Sequence, residues 1–339
     1  MPINDVKRKF NSIDLFKFIM SLCVVAIHIN PLANCRNQTI LALYSTITKL
    51  AVPFFFLSSG FLMTYNLNYP YKDQKSIEKI KHTLCKMVKL YFFWSLIYLP
   101  LTIMDDISRK ISFREAWHDY LQGFLFIGGH AHSYMLWYVL SSIYSLIFIL
   151  LLLKYTRMKP GHILIFGCLI LMISIGLNCF AEYTGNPPFV ISLLQKLLQY
   201  TILNGRILLG FFYIPIAMVL SKDSFNIKVS AALFISGFAC HMCIQDTHFA
   251  EIPKAVCSIG FFSLIEKLKF PDSACFPVLR EISADVYFLH LMIWFEYYTV
   301  VYGQRTYGAD CFIATVLLSV LVSLLHISIS SIVRKKNHI

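Results

Sequence analysis

Apolar residues in this chain come in blocks of about twenty rather than in the one-sided stripe typical of a soluble helix. A block of this length crosses the roughly 30 Å hydrocarbon core of a bilayer as one α-helix. Polar segments separate the blocks, and the longest of them cover about 66–85 and 105–134. The pattern predicts ten membrane spans, at about 11–31, 41–65, 86–104, 135–155, 161–181, 206–221, 226–244, 253–267, 283–303 and 311–333.

One further apolar segment, 187–203, is interrupted by Lys196 and Gln199, and we predict an interfacial or re-entrant helix there. Composition supports a membrane protein, because 57% of the residues are hydrophobic, only 14% are charged, and the mean hydropathy is +0.64. Soluble domains carry about 25% charged residues. The predicted fold class is therefore all-α, a polytopic membrane protein whose residues 1–339 form a single transmembrane domain.

The distribution of lysine and arginine predicts the orientation, because cytoplasmic loops carry an excess of these residues. The larger share falls in alternate polar segments, at 7–9, 72–89, 154–159, 222–228, 267–280 and 334–336. This predicts a multi-pass protein of the cell membrane with both termini cytoplasmic. The same topology accounts for the net charge of +12, so we expect contact with anionic lipids and none with nucleic acid.

The ten cysteines are scattered, mostly within spans, which favours free buried thiols over a disulfide framework. Cys240 and Cys243 form a C-x-x-C pair, but no other pair follows at zinc-ligand spacing. We therefore predict no metal site.

The first span contains three ionisable residues, Asp14, Lys17 and His28. Eleven residues of α-helix make about three turns and rise about 16 Å, so Lys17 and His28 share one helical face. Asp14 lies one turn before Lys17, close enough to pair with it. Ionisable residues inside a bilayer usually mark a functional site. A cation near the cytoplasmic end and a titratable base near the outer end would suit a long anionic ligand.

A purely structural interpretation of the same residues also stands. Lys17 could extend its ammonium group to the cytoplasmic surface along its apolar stem. His28 could lie in the outer interface, where a neighbouring side chain satisfies it. The spacing alone does not decide between the two interpretations.

Five segments resemble, in order, the motifs of the membrane-bound acyltransferase family 3, whose O-acetyltransferases modify sugars and surface polysaccharides. "IDLFKFIMSLCVVAIHINP" is similar to the opening motif of the family, in which ten residues separate a basic residue from a histidine; here these are Lys17, replacing the commoner arginine, and His28. In "CKMVKLYFFW", Lys86 and Lys89 replace both arginines of a later basic motif. The other three are "AVPFFFLSSGFLM" (51–63), "MLWYVLSSIYSL" (135–146) and "SADVYFLHLMIW" (283–294).

The resemblance implies an acyltransferase-3-like domain over 1–339 that moves an acyl group from cytoplasmic acyl-CoA to a hydroxyl of a glycan, glycolipid or other small acceptor. Acetyl-CoA is the expected donor. We predict that His28 is the catalytic base, since histidine titrates near neutral pH, and we include Asp14 in the catalytic set. Lys17, Lys86 and Lys89 are predicted to bind the phosphates of the donor, although the positive-inside rule alone also explains Lys86 and Lys89.

Further polar residues are weaker candidates. His290 either orients substrate or hydrogen-bonds between helices, and Trp137 and Arg206 are candidates for the acceptor site. Asp285 is expected to pair with a nearby cation. Two further expectations concern other segments. We expect close helix packing at Ser58, Ser59 and Gly60, and a solvated loop around His130 and His132 rather than a metal or acceptor site.

A transport function is the alternative from another class, since intramembrane lysine and histidine also line solute and proton pathways. The family resemblance includes the membrane domain of the serine racemases of vancomycin-resistance clusters, which is thought to serve serine uptake. On this interpretation the chain would carry a small solute such as L-serine and would need no acyl donor.

Overall fold

The computed structural model describes residues 9–130, 132–156, 159–181, 185, 187–201, 206–245, 247–301, 303 and 307–336. Every regular element within these residues is helical, which confirms the all-α prediction. The α-helices are α1 (Asn11–Ile29), α2 (Gln38–Thr48), α3 (Ala51–Thr64), α4 (Gln74–Ser108), α5 (Phe113–Gln122), α6 (Trp137–Tyr155), α7 (Pro160–Ala181), α8 (Phe189–Thr201), α9 (Gly210–Leu220), α10 (Ile227–Ile244), α11 (Glu251–Ile265), α12 (Cys275–Val301) and α13 (Ala309–Lys336).

Within the described residues, 7 helical segments are long and apolar enough to cross a membrane: α1, α2 together with α3, α4, α6, α7, α10 and α13. The other predicted spans coincide with α9, α11 and α12. Ten spans and cytoplasmic termini therefore stay predictions. Of the charges used for orientation, Lys7, Arg8, Arg157 and Arg305 lie outside the described residues.

The second predicted span, 41–65, is not one continuous helix. It is divided into α2 and α3 by Lys49 and Leu50. Pro53 lies in the first turn of α3, where its missing N–H costs no helical hydrogen bond, whereas in mid-span it would have broken the i to i−4 ladder. The proline therefore favours a helix start at this point over an uninterrupted span.

One other predicted span differs from the helix that contains it, and one predicted helix is present. The span 86–104 is only part of α4, whose 35 residues begin well before the apolar run. The side chain of Asp73 caps this helix by accepting a hydrogen bond from the Ser76 backbone N–H at 3.1 Å. The segment 187–203 forms α8, as predicted for a helix, while its place at the membrane interface stays a prediction.

The chain divides into two compact units. The first comprises Met1–Phe54, Asn226–Met242 and Val256–Ile339, and the second comprises Phe55–Phe225 and Cys243–Ala255. In the first unit α1 packs along α12, and α12 packs along α13. In the second unit α6 packs against α4 and α9, and α9 also packs against α7. The predicted site residues are divided between the two units.

Candidate functional site

The first candidate site lies along the contact between α1 and α12 in the first unit. Near the start of both helices, Arg280 Nη1 is 3.7 Å from Asp14 Oδ2. Further along both helices, the rings of His28 and His290 are in contact. Because these contacts follow in the same order along both helices, α1 and α12 run parallel. This is the arrangement expected of two helices that cross a membrane in the same direction.

His28 and His290 form a stacked pair. Their ring centroids are 5.3 Å apart and the ring planes are inclined by 15°. His290 is fully buried, whereas His28 is partly exposed. Sequence analysis selected both residues separately, and the structure brings them together.

The hydrogen bonding of His290 indicates which of its nitrogens is available. Its Nδ1 lies 3.1 Å from the carbonyl oxygen of Val286, one turn earlier on α12. A carbonyl only accepts, so Nδ1 carries the proton and Nε2 keeps a lone pair. Nε2 is buried, and within the part of the chain that the structure describes it has no hydrogen-bond partner. The same holds for the indole N–H of Trp294, one turn further along. Buried polar atoms of this kind are rare and require an explanation, such as a bound ligand.

The other end of the α1–α12 contact is charged. Asp14 is buried, and both Lys17 and Arg280 act on its charge. The ion pair of Asp14 is with Arg280 and not with Lys17, the partner that helix spacing had offered. Lys17 is a partly exposed cation near this pair. Sequence analysis assigned Arg280 to the basic loops. The sequence does contain a sign of this role, because Arg280 precedes His290 by nearly the same number of residues as Lys17 precedes His28.

Lys86 and Lys89 lie on α4 in the second unit, and both are exposed. They are one turn apart on one side of the helix, so a single anionic group could contact both. Their joint action with Lys17 on a donor stays a prediction.

The structure also brings together Trp137 and Arg206 in the second unit. The guanidinium carbon of Arg206 lies 5.5 Å from the centroid of the Trp137 ring, within cation–π range. One turn after Trp137, the Ser141 hydroxyl donates to the Ile207 carbonyl at 2.7 Å and accepts from the Gly210 N–H at 3.0 Å. These bonds fix the short turn that carries Arg206. A cation held beside an aromatic face could bind a polar acceptor.

Close packing at Gly60 is confirmed. A Cβ at this position would lie 2.8 Å from the Ile214 carbonyl oxygen and 2.9 Å from the Ala217 Cβ of α9. Ser58 is buried and its hydroxyl donates to the Phe55 carbonyl, while the Ser59 hydroxyl lies 2.9 Å from the Tyr138 hydroxyl. These contacts fit helix packing and give no sign of a nucleophile.

The loop with His130 and His132 is packed, so the prediction of a solvated loop is wrong. The His130 ring stacks on Tyr120 at 4.4 Å and 9°. His132 is buried, and its Nε2 lies 3.8 Å from Asp105 Oδ1. Aromatic stacking and a carboxylate hold the two rings in place, and neither interaction is visible from local sequence. Among the described residues, no cluster of three histidine, cysteine or acidic side chains could hold a metal ion.

Asp285 pairs as expected with a residue that can be cationic. Its Oδ2 accepts a hydrogen bond from His326 Nδ1 at 2.9 Å and another from the Ser323 hydroxyl at 2.7 Å, both on α13. This interaction connects α12 to α13.

Comparison with known proteins identifies relatives among bacterial racemases. An amino-acid racemase from Enterococcus faecalis is 26% identical over 85% of this chain and 41% of the relative. A serine/alanine racemase from Enterococcus gallinarum is 32% identical over 29% of this chain and 14% of the relative. The chain thus spans less than half the length of these curated relatives. No solved structure is significantly similar to it.

The family comparison covers almost the whole chain. Residues 10–330 match the model of the acyltransferase domain. The match includes α1 and α12, with the histidine pair, as well as the segments that carry Lys86, Lys89, Trp137 and Arg206. It agrees with the order of motifs from residue 13 to residue 294. The chain therefore belongs to the acyltransferase domain family, a family of integral membrane proteins with acyltransferase-like chemistry.

Proposed function

We propose that this protein transfers an acyl group from acyl-CoA to a hydroxyl of a glycan, glycolipid or other small acceptor. The observation that carries the proposal is the stacked pair of His28 and His290, in which the buried Nε2 of His290 has no hydrogen-bond partner among the described residues. Acyl transfer to a hydroxyl requires a base that takes the hydroxyl proton, and histidine performs this step near neutral pH. The family to which the chain belongs supports the same reaction class.

In the proposed reaction, His28 takes the proton of the acceptor hydroxyl as its oxygen attacks the thioester carbonyl carbon. The new C–O bond forms, the C–S bond breaks, and the CoA thiolate receives the proton from His28. The lone pair of His290 Nε2 accepts a hydrogen bond from the acceptor and so positions it. The two histidines thus have different functions, one in proton transfer and one in orientation.

The anionic part of the donor would bind at the charged end of α1. Lys17 provides a cation near Asp14, and the Arg280–Asp14 pair holds the surrounding charges in place. The sequence also predicts Lys86 and Lys89 as phosphate contacts. Lysine neutralises phosphate as a point charge, without the bidentate geometry of arginine. We expect acetyl-CoA to be the donor, the cell membrane to be the location, and cell-surface glycans to be the acceptors.

Binding and turnover of acetyl-CoA by the purified protein test this function. Calorimetry should show saturable binding, and release of free CoA thiol should require the protein. Lys17→Ala and Lys86→Ala should weaken binding, whereas His28→Ala should preserve binding and abolish thiol release. Folded protein that neither binds acetyl-CoA nor releases thiol contradicts the proposal.

A second candidate, passage of a small amino acid across the membrane, is favoured by the names of the relatives. They are called amino-acid and serine/alanine racemases, and this chain matches only part of each. The charged group of Asp14, Lys17 and Arg280 offers both signs of charge to a zwitterion. Proteoliposomes should then accumulate radiolabelled L-serine in the absence of any acyl donor. Accumulation without thiol release selects this candidate over the first.

A further inference from the structure

An apolar groove lies between the end of α4 and α5 in the second unit. Its volume is about 520 Å³, within the range of small-molecule sites. One wall is a stripe on α4 that includes Ile103 and Ile107, and the other is a stripe on α5 that includes Phe113 and Trp117. These positions recur every three to four residues, so each wall is one face of its helix.

The walls of the groove expose large apolar side chains, which is unfavourable in water. Phe113 is 86% exposed, Ile107 71% and Trp117 54%. The opposite face of α5 carries the polar residues Arg114, Glu115, His118, Asp119 and Gln122. A helix with this distribution lies in the plane of a membrane interface, with its apolar face towards the hydrocarbon. The groove therefore faces hydrocarbon rather than water.

An acidic side chain, Asp106, lies at the apolar groove and indicates the charge of the ligand it would bind. Asp106 lines the groove, is partly exposed, and within the described residues makes no hydrogen bond or ion pair through its carboxylate. Its neighbour Asp105 differs, because it pairs with Arg109 at 2.9 Å. A carboxylate without a partner beside an apolar groove complements a ligand that has a hydrocarbon chain and a cationic head.

We propose that this groove binds one hydrocarbon chain of a membrane amphiphile, whose cationic head lies against Asp106. The groove shares no residue with the histidine pair, and the proposal does not depend on acyl transfer. The proposal predicts that Asp106 selects the charge of the head group and that the hydrocarbon chain of the ligand fills the groove. Two different substitutions can test these two points separately.

Trp117 provides the measurement because bromine in contact with an indole ring quenches its fluorescence. The probes are an alkyltrimethylammonium with a brominated chain and the alkyl sulfate with the same chain. Each is titrated into full-length protein in nanodiscs of unbrominated phosphatidylcholine. The Trp117→Phe variant gives the background from Trp94, Trp137 and Trp294.

We expect saturable quenching of Trp117 at a low mole fraction of the ammonium probe, with at least tenfold weaker quenching by the sulfate. Asp106→Asn should reduce this preference at least fivefold, whereas Asp223→Asn, an exposed carboxylate away from the groove, should not. Ala116→Phe should remove saturable quenching by filling the groove, and Ala116→Leu, a milder change, should weaken it. Quenching that rises linearly with mole fraction and is equal in all folded variants would show bulk lipid contact only and overturn the proposal.

Discussion

The rings of His28 and His290 stack at 5.3 Å, although one residue lies on the first helix and the other on α12. His290 is held by the Val286 carbonyl, so its orientation is fixed from within α12. His28 is partly exposed and is therefore the more accessible member of the pair. This difference in environment underlies the assignment of proton transfer to His28 and of orientation to His290.

His28→Ala should reduce turnover by about 10²–10⁴-fold, the usual contribution of a general base. Donor affinity should stay within about twofold, since the ring is about 16 Å along α1 from Lys17. His290→Ala should instead raise the acceptor KM more than it lowers kcat. Steady-state kinetics with thiol detection separate the two results. Equal loss of donor binding in both variants would point to misfolding, which a gel-filtration profile would reveal.

Lys17→Ala should weaken donor binding about tenfold and leave the melting temperature nearly unchanged, because Asp14 keeps its ion pair with Arg280. Lys17→Arg should retain binding, since the family motif commonly has arginine there. Calorimetry with acetyl-CoA measures both variants. Unchanged binding by Lys17→Ala would assign Lys17 to the membrane surface, where it extends its ammonium group to water.

Sequence alone predicted the helical class, the shared face of Lys17 and His28, and the charged end of α1, because these depend on helix periodicity and bilayer thickness. It could not predict that His290 stacks on His28, since that contact depends on how distant helices pack. The break at Lys49 was foreseeable from Pro53. The burial of His132 was not, because its partner Asp105 lies at the end of another helix.

Arg206→Gln should raise the KM of the acceptor several-fold without changing donor affinity, if Trp137 and Arg206 bind the acceptor. The cation–π contact should couple the two residues by about 0.5–2 kcal/mol in a double-mutant cycle with Trp137→Leu. Arg114→Gln, an exposed arginine on α5, serves as the control. Additive effects on KM would mean that the two side chains act independently.

Gly60→Leu should destabilise the protein by about 1–3 kcal/mol or more, because the added side chain would overlap the α9 backbone at Ile214. The matched control is Gly176→Leu on α7, where an added Cβ has no neighbour within 4 Å. Thermal denaturation in detergent should show a lower transition for the first variant alone. Equal melting temperatures would mean that α3 and α9 can separate at little cost.

Stability should also decrease in mild acid because of His130. Burial lowers the pKa of His130 to about 4, although the charge of Asp119 acts in the opposite direction. An unfolded histidine has a pKa near 6.5, so between about pH 6.5 and 4 the unfolded chain binds a proton that the folded chain excludes. The contribution of His130 is therefore fully present above pH 6.5 and is lost as the pH falls towards 4.

His130→Phe keeps a ring on Tyr120 but cannot bind a proton, and its melting temperature should fall less between pH 7 and pH 5. The exposed His118→Phe control should follow the unsubstituted protein, and parallel curves for all three proteins would contradict the assignment to His130.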